Sequence, residues 1–286
     1  MINTSKAPIT WFITGASSGI GLALTEAAAA RGDNVVALAR HIDALSPLAA
    51  AHGGRITPVA ADVRRQSSID DAVALALHTY GRIDVVANNA GYGLFGAVEE
   101  VDDEQAREIF DTNFFGVLTV LRATLPILRR QRAGHILQGS SYYGQTAHAG
   151  VGLLAATKCA IEGLTDALLD EVAPLGIDVT LVEPGPTATP FLANLHHARP
   201  IDDYDRTVRE VQRQIGELPP TAFNDPNRVA AAILTAVDSD TPPVRLVTGG
   251  FAVTEIDAAL RRRRDELAAW HQVSCDVDVA AAPATV

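Results

Sequence analysis

The chain has 286 residues, and 34 acidic side chains against 23 lysines and arginines give it a formal net charge of −11. Hydrophobic residues make up 48% and charged residues 20%, a mixture that supports a large globular core. The acidic balance argues against nucleic acid or an anionic membrane as the main partner. With two cysteines and no apolar run of the ~18 residues that a membrane span needs, the composition predicts a soluble, cytoplasmic protein.

Short apolar runs alternate with longer helical patterns along the first two thirds of the chain. The runs are continuously apolar, which is typical of strands in a sheet covered on both faces. Their alternation with helices predicts an α/β fold of the Rossmann type, with a doubly wound, mostly parallel seven-stranded sheet and helices on both faces. The predicted strands are 9–14, 34–39, 55–60, 85–88, 135–138, 179–182 and 244–248, and the predicted helices are 20–31, 43–51, 67–80, 103–132, 152–175, 225–236 and 254–270.

The pattern loosens beyond Pro184, where prolines and charged residues predict an excursion over a cleft. We therefore expect a single domain over residues 1–275, with a substrate lid at about 186–220. The alanine-rich residues 276–286 predict a flexible C-terminal tail.

A glycine-rich turn, TGASSGIG, occupies residues 14–21, where the first predicted strand meets the first predicted helix. Glycines let the backbone turn tightly and approach a diphosphate, and the helix N-terminus directs its free N–H groups at the anion. The strand before and the helix after this turn favour dinucleotide binding over a purely structural loop. The predicted phosphate-binding residues are Gly15, Ser17, Ser18, Gly19, Ile20 and Gly21.

The second predicted strand is followed by Arg40 and not by an acidic residue. An acidic side chain there accepts hydrogen bonds from the ribose 2′-hydroxyl, whereas arginine pairs with a 2′-phosphate. Unless Arg40 is only a surface residue beside the loop, it favours NADP(H) over NAD(H) as the cofactor.

In its ordered motifs the sequence resembles the short-chain dehydrogenase/reductase family from about residue 9 to residue 250. The motifs are TGASSGIG, Asp62-Val63, NNAG at 88–91, Asn113, Ser141, Lys158 and Pro184-Gly185. The resemblance implies an oxidoreductase that interconverts a carbonyl and an alcohol with a nicotinamide cofactor. It places Asp62 and Val63 at the adenine, and Asn89, Ala90 and Gly91 along the ribose and the back of the cofactor. It places Lys158 at the nicotinamide ribose, and Pro184, Gly185 and Thr189 around the carboxamide. Thr187 is also among the residues implied for the cofactor.

The resemblance also implies that Ser141 holds the substrate oxygen and that Asn113 supports a water-linked proton path. The family's proton donor is a tyrosine four positions before the lysine, on the same helix face. This sequence has Leu154 there, and leucine can neither donate nor accept a proton. Losing a positioned general acid typically costs about 10²–10⁴-fold in rate.

Three explanations of Leu154 stay open. In the first, the protein is a reductase in which another group protonates the oxygen, with Tyr143 as the first candidate, followed by Tyr142, His148 or a bound water. In the second, the fold serves non-redox chemistry, such as cyclisation or isomerisation, or binds a cofactor or ligand without turnover. In the third, an introduced tyrosine-to-leucine change has inactivated an ordinary reductase.

The predicted catalytic residues are thus Ser141, Lys158, Asn113 and Tyr143, and Leu154, Tyr92, Tyr143 and Phe191 are expected to border the substrate pocket. We expect a mid-sized, largely apolar substrate and no catalytic metal, since His196 and His197 lack a ligand cluster. The predicted helices 103–132 and 152–175 have apolar stripes on more than one side and resemble the family's subunit-pairing helices. A homodimer or homotetramer is therefore expected.

Overall fold

A seven-stranded parallel sheet runs through the centre of the protein in the computed structural model, which describes residues 7–279. Its strands are β1 (Thr10–Thr14), β2 (Asn34–Ala39), β3 (Ile56–Ala60), β4 (Val85–Asn88), β6 (Gly134–Gly139), β7 (Ile177–Pro184) and β9 (Arg245–Thr248), and β5 (Leu94–Phe95) pairs separately with β8 (His196–His197). The strand order is β3-β2-β1-β4-β6-β7-β9, so the order reverses between β1 and β4. This topology confirms the predicted Rossmann-type fold.

Helices pack on both faces of the sheet. They are α1 (Gly19–Ala30), α2 (Ser46–Ala51), α3 (Gln66–Tyr80), α4 (Asp103–Phe110), α5 (Gly116–Gln131), α6 (Gly152–Val172), α7 (Glu210–Gly216), α8 (Pro226–Val237), α9 (Gly250–Ala269) and α10 (His271–Cys275). Side chains alternate along β1, so that Trp11 and Ile13 pack with α1 and α8 whereas Phe12 packs with α3, α5 and α6. All three are completely buried, which contributes about 1.5–3 kcal/mol for each large apolar side chain.

The helix predicted over 103–132 is interrupted by a π-helical segment, Asp111–Phe115, between α4 and α5. Asp102 caps α4 by accepting a hydrogen bond from the Gln105 backbone N–H at 2.8 Å, as a good helix start requires. In the π-helical segment, the side-chain amide of Asn113 reaches the backbone of Tyr92. The interruption therefore follows from a contact with a distant loop, which helical periodicity cannot reveal.

Two further differences concern the C-terminal third. The β5–β8 pair was not predicted, because two-residue strands carry no periodic signal. The helix predicted from residue 254 begins at Gly250, directly after Gly249, whose φ of +97° needs a glycine.

No helix among residues 7–279 is long and apolar enough to span a membrane. Of the predicted flexible tail 276–286, residues 280–286 lie outside the described residues.

Candidate active site

A large cavity of about 1240 Å³ opens at the carboxyl edge of the sheet, where the loops after β1, β4, β6 and β7 meet. All the residues predicted for the cofactor line it except Gly21, as do all four predicted for the substrate. They are Gly15, Ser17, Ser18, Gly19, Ile20, Arg40, Asp62, Val63, Asn89, Ala90, Gly91, Lys158, Pro184, Gly185, Thr187 and Thr189, with Tyr92, Tyr143, Leu154 and Phe191. The fold thus brings together residues that are spread over more than half of the chain.

The turn after β1 has the geometry of an anion site. Gly15 and Gly19 have φ values of +65° and +54°, a region that side chains rarely adopt. Ser18 precedes α1 in an extended conformation, and its side chain makes no capping hydrogen bond. The first N–H groups of α1 therefore face the cavity without a capping side chain, which is the donor set that a phosphate group accepts from.

The β1 and β4 turns are fastened to each other. The hydroxyl of Thr14 accepts hydrogen bonds from the backbone N–H groups of Asn89 and Ala90 at 3.0 and 3.1 Å. The Asn89 amide in turn donates to the Thr14 and Gly15 carbonyls at 3.1 and 3.2 Å. Although Gly21 does not line the cavity, a Cβ there would lie 2.3 Å from the Gly15 carbonyl oxygen. The predicted Gly21 thus acts by allowing this close approach.

Two arginines border the end of the cavity beside β2. Arg64 forms an ion pair with Asp62 at 2.7 Å, and this hydrogen bond lowers the pKa of Asp62 to about 2. Arg64 was not predicted, and only its place two residues after Asp62 could have indicated it. Arg40 is exposed and has no hydrogen-bond or ion-pair partner within residues 7–279. Its guanidinium is therefore available to an anion in the cavity.

Ser141 and Lys158 both line the cavity. Ser141 follows β6, and its Oγ accepts a hydrogen bond from the Tyr143 backbone N–H at 3.2 Å. Lys158 extends from α6, and its Nζ donates to the Gly139 carbonyl at 2.7 Å. Burial lowers the pKa of Lys158 to about 8, against the opposing attraction of Glu162. Burial thus disfavours the charged form of Lys158, and an anionic or hydrogen-bonding group that pairs with the ammonium would raise its pKa again.

Leu154 lies one helical turn before Lys158 on α6 and is only 3% exposed. It belongs to an apolar cluster with Leu94 and Ile109, and it also forms part of the cavity wall. No proton donor is therefore present at this position. The wall is shaped instead by a hydrocarbon side chain.

The two tyrosines after Ser141 stack on each other, with ring centroids 4.1 Å apart. Burial raises the pKa of Tyr143 to about 12 and raises that of Tyr142 further. The Tyr143 hydroxyl lies 2.5 Å from Nε2 of His148, which also borders the cavity. Both phenols are therefore held in the protonated form at neutral pH.

Asn113 does not line the cavity with its side chain. Its Oδ1 accepts from the Tyr92 N–H at 3.0 Å, and its Nδ2 donates to the Tyr92 carbonyl at 3.0 Å and to Thr157 Oγ1 at 3.3 Å. The Asn113 amide thus holds the loop after β4 against α6. The sequence had instead predicted that Asn113 supports a water-linked proton path.

The predicted lid segment covers the apolar end of the cavity. Phe191, Leu192 and Leu195 line it from one part of this segment, and residues 211–218 line it from α7 and the turn that follows. The pairing of β5 with β8 ties the segment to the loop after β4. The contribution of α7 was missed although Val211, Ile215 and Leu218 recur at helical spacing, because the prolines and charged residues around them predicted only an irregular excursion. The additional lining residues there are Val211, Gln214, Ile215 and Leu218.

His196 and His197 are exposed on β8, and the ring centroids of His196 and Tyr92 are 4.6 Å apart. Within the described range 7–279, no three histidine, cysteine, aspartate or glutamate side chains are grouped as metal ligands.

A buried pair of carboxyl groups, Glu162 and Glu183, lies behind the site. The Gln145 side-chain amide donates to both, at 3.1 and 3.2 Å, and Arg245 pairs with Glu162 at 3.0 Å and approaches Glu183 at 3.5 Å. Ser140 also donates to Glu162. Burial, and then repulsion from Glu162, raise the pKa of Glu183 from 4.5 to about 7.

We expect this pair to give the protein a pH-dependent stability. The folded state binds the Glu183 proton more tightly than the unfolded chain, so the unfolding free energy should fall as pH rises from about 4.5 to about 7. The loss is on the order of 1–3 kcal/mol, and Glu183→Gln should remove it. Urea unfolding at pH 5 and pH 8 measures the effect, with Asp178→Asn, exposed on the same strand, as the control. Equal pH slopes for Glu183→Gln and the parent protein would contradict the assignment.

Together, the doubly wound sheet and an uncapped helix N-terminus that opens into the same cavity as Ser141 and Lys158 define a nucleotide-binding α/β protein. The sequence model of the family described as short chain dehydrogenase matches residues 10–200. The oxidoreductase BOA17 of Botryotinia fuckeliana is 37% identical over 245 residues, covering 85% of this chain and 89% of that protein. The chain belongs to the short-chain dehydrogenase family, and it is an oxidoreductase.

Solved structures agree with this assignment. A short-chain dehydrogenase from Streptomyces avermitilis superposes with a TM-score of 0.89 at 38% identity, covering 96% of this chain and all 100% of that one. An alcohol dehydrogenase from the archaeon Thermococcus sibiricus, complexed with 5-hydroxy-NADP, superposes with a TM-score of 0.70 at 25% identity, covering 85% of this chain and 96% of that one. The fold is thus one that binds nicotinamide cofactors.

Proposed function

We propose that the protein is an NADP(H)-dependent oxidoreductase that interconverts a carbonyl and an alcohol on a mid-sized, largely apolar molecule. The observation that carries the proposal is that the uncapped N-terminus of α1 opens into the same cavity as Ser141 and Lys158. When bound, the nicotinamide nucleotide supplies or accepts the hydride. The chain's own residues bind and orient the reactants, exclude water and supply the proton.

The cofactor site extends along the carboxyl edge of the sheet. We infer that the N–H groups at the start of α1 bind the diphosphate and that Asp62 and Val63 contact the adenine. Lys158 binds the nicotinamide ribose, and the segment from Pro184 to Thr189 flanks the carboxamide. The family resemblance supports these roles, and the position of each residue on the cavity wall is consistent with them.

The preference for NADP(H) over NAD(H) rests on Arg40. Because Arg64 is engaged by Asp62, Arg40 is the arginine of this pair that is available to a 2′-phosphate. A guanidinium binds a phosphate through two parallel hydrogen bonds, which are stronger than those between neutral groups. NADH has a neutral 2′-hydroxyl in place of this phosphate, so it makes no ion pair with the guanidinium.

We therefore expect Arg40→Ala to weaken NADPH binding about 10–100-fold, the loss of one or two hydrogen bonds to a charged group. NADH binding should change by less than about twofold because the 2′-hydroxyl makes no ion pair. Titration calorimetry with both nucleotides measures the difference. Arg262→Ala, on the exposed part of α9, is the matched control. An equal loss for both nucleotides, or a loss for neither, would show that Arg40 does not read the 2′-phosphate.

Ser141 and Lys158 are proposed to act on the substrate and the cofactor, respectively. The Ser141 Oγ accepts from the Tyr143 N–H, and its hydroxyl donates to the Pro184 carbonyl at 3.5 Å, a long hydrogen bond that a substrate oxygen can replace. The buried ammonium of Lys158 adds positive charge beside it, which favours negative charge that develops on that oxygen.

The apolar substrate is inferred from the lining of the cavity beyond Ser141. Leu154, Phe191 and Leu195 border this end, together with the apolar residues of α7. Phe191 is 40% exposed, so the lid still offers apolar surface to a ligand. We propose that the segment 186–220 closes over the substrate and excludes water.

A homodimer or homotetramer is also part of the proposal. Phe115, in the π-helical segment, is 53% exposed and packs edge-on against Phe114, so it presents an aromatic surface at the junction of α4 and α5. Sedimentation velocity on the parent protein measures the assembly state.

A second candidate function, ligand binding or non-redox chemistry, is favoured by Leu154 alone, because no titratable side chain occupies that position. The two functions differ in the response to Leu154→Tyr. A binding protein or non-redox enzyme reduces no ketone with or without the added phenol, whereas a reductase inactivated by an introduced change turns over only with it. A reductase with another proton donor turns over without it.

A further inference from the structure

We propose that Tyr143 and His148 form a proton relay that replaces the missing helix tyrosine, an inference that rests on the proposed carbonyl reduction. Both side chains line the cavity that contains Ser141, Leu154 and Lys158. The Tyr143 Oη lies 2.5 Å from His148 Nε2, and the rings meet edge to face with centroids 5.1 Å apart. Tyr143 is the residue that contacts the substrate oxygen, and His148 acts through it.

The hydrogen bonds of His148 fix its tautomer. Its Nδ1 lies 3.0 Å from the carbonyl oxygen of Ala149, which can only accept, so Nδ1 carries a proton. In the neutral ring, Nε2 is therefore the acceptor and the Tyr143 hydroxyl is the donor. When Nε2 is also protonated, it donates to Tyr143 Oη and leaves the phenolic proton free to point into the cavity.

Tyr143 is held beside the reacting centre by the backbone. Its N–H donates to Ser141 Oγ at 3.2 Å, and its ring stacks on Tyr142. Tyr142, by contrast, is only 7% exposed and packs against Ala252 and Ile256. Of the two phenols, Tyr143 thus has both a hydrogen-bonded base and a place beside the catalytic serine.

The relay transfers a proton without forming a phenolate. During reduction, the Tyr143 Oη–H bond breaks as its proton passes to the substrate oxygen, and the His148 Nε2–H proton passes to Tyr143 Oη. The imidazolium becomes a neutral imidazole, and His148, which is partly exposed, then takes a new proton from water. The net result is the delivery of one proton to the substrate oxygen, and the electron pair arrives with the hydride of the proposed function. Oxidation reverses each step.

This arrangement suits the environment of Tyr143. Burial disfavours its phenolate, so the phenol alone is a poor acid. The other titratable side chains that line this cavity are Arg40, Asp62, Arg64, Tyr92, Glu108, Tyr142, Lys158 and His196. Among residues 7–279, only Tyr143 bonds to His148 through a side chain. The proton state of His148 is therefore coupled to Tyr143.

The test measures NADPH-dependent reduction of medium-chain 2-ketones and aryl ketones by the parent protein and two variants. We expect Tyr143→Phe to lower kcat by about 10²–10⁴-fold, as loss of a positioned acid does. His148→Gln keeps a hydrogen-bonding group but cannot relay a proton, and it should lower kcat about 10–100-fold with little change in KM. Tyr80→Phe and His78→Gln, on α3 and away from the cavity, are the matched controls.

The pH profile separates a relay from a structural role. The relay draws on the His148 Nε2 proton, so kcat for reduction by the parent should fall as pH rises. His148→Gln should lose this pH dependence of kcat. In the protein without nucleotide, side-chain nitrogen NMR should show His148 with Nδ1 protonated and Nε2 as the acceptor, and Tyr143→Phe should shift the Nε2 resonance. The opposite tautomer, or an unshifted Nε2, would overturn the relay.

Leu154→Tyr distinguishes failure of the relay from failure of the proposed function. In the Tyr143→Phe background it should restore at least tenfold in kcat, because it supplies a phenol one turn from Lys158. Full turnover by Tyr143→Phe would overturn the relay and leave the proposed function standing. The same holds if the parent protein is inactive and turnover appears only in Leu154→Tyr. If no variant binds NADPH or reduces a ketone, the proposed function falls and the relay with it. Circular dichroism melts of each variant identify any that fail to fold.

Discussion

Replacing Gly21 with alanine is expected to weaken NADPH binding about 100-fold or more, a loss equal to two misaligned hydrogen bonds to a charged group. A Cβ at this position would lie 2.3 Å from the Gly15 carbonyl oxygen and 2.4 Å from Asn89 Nδ2. The first of these atoms belongs to the backbone of the phosphate turn, so the turn itself must shift. The backbone N–H groups at the start of α1 then no longer point at one phosphate position. Calorimetric titration with NADPH measures the loss.

The matched control is Gly163→Ala, in the middle of α6. A Cβ there meets no atom within 4 Å, and the residue is helical. Alanine in a helix interior is favoured over glycine by about 1 kcal/mol, so this variant should bind NADPH normally and melt slightly higher. Gly21→Ala should also melt lower, since overpacking costs about 1–3 kcal/mol. NADPH binding by Gly21→Ala within threefold of the parent would remove the phosphate turn from the proposed cofactor site.

The strands could be predicted because their signal is local and strong. β2 and β4 have the predicted bounds, Asn34–Ala39 and Val85–Asn88, since a strand buried on both faces leaves an unbroken apolar run. The parallel order then follows from chain connectivity. Ends were less certain: β7 extends to Ile177–Pro184 although the prediction was 179–182, because the ladder partners of its ends lie on β6 and β9.

The cofactor side of the site was predictable for a related reason. Its residues follow strand ends, and parallel strands gather their carboxyl ends at one edge, so motif position implies location. Arg64 was not predicted because its place two residues after Asp62 is the one sequence signal for it, and the ion pair with Asp62 is visible only in the structure.

The substrate side depends on contacts between distant elements. The β5–β8 pair joins loops about a hundred residues apart, and α7 reaches the cavity only through the path of the lid. The sequence proposed Tyr143 and His148 as separate candidates, yet their hydrogen bond depends on the shape of a loop. The buried pair of Glu162 and Glu183 likewise needs α6, β7 and β9 in place before it exists.

Lys158→Met is expected to lower kcat for ketone reduction about 10²–10³-fold, the usual cost of removing one preorganised electrostatic group. Methionine preserves the length and apolar stem of lysine but removes the charge beside Ser141 and the hydrogen bond to the Gly139 carbonyl. NADPH affinity should also fall, because the proposed ribose contact is lost. Stopped-flow reduction and calorimetry measure the two effects separately.

Lys158→Arg is the matched control, and pH makes the comparison decisive. Burial lowers the pKa of Lys158 to about 8, and the charged form is the functional one. The NADPH affinity of the parent should therefore decline as pH rises through about 8. Arginine stays charged at these pH values, so Lys158→Arg should bind NADPH without that decline. This alkaline loss of affinity is measured separately from the loss of kcat expected when His148 is replaced. An NADPH affinity that is flat from pH 7 to pH 10 in the parent would show that the Lys158 charge does not hold the nucleotide.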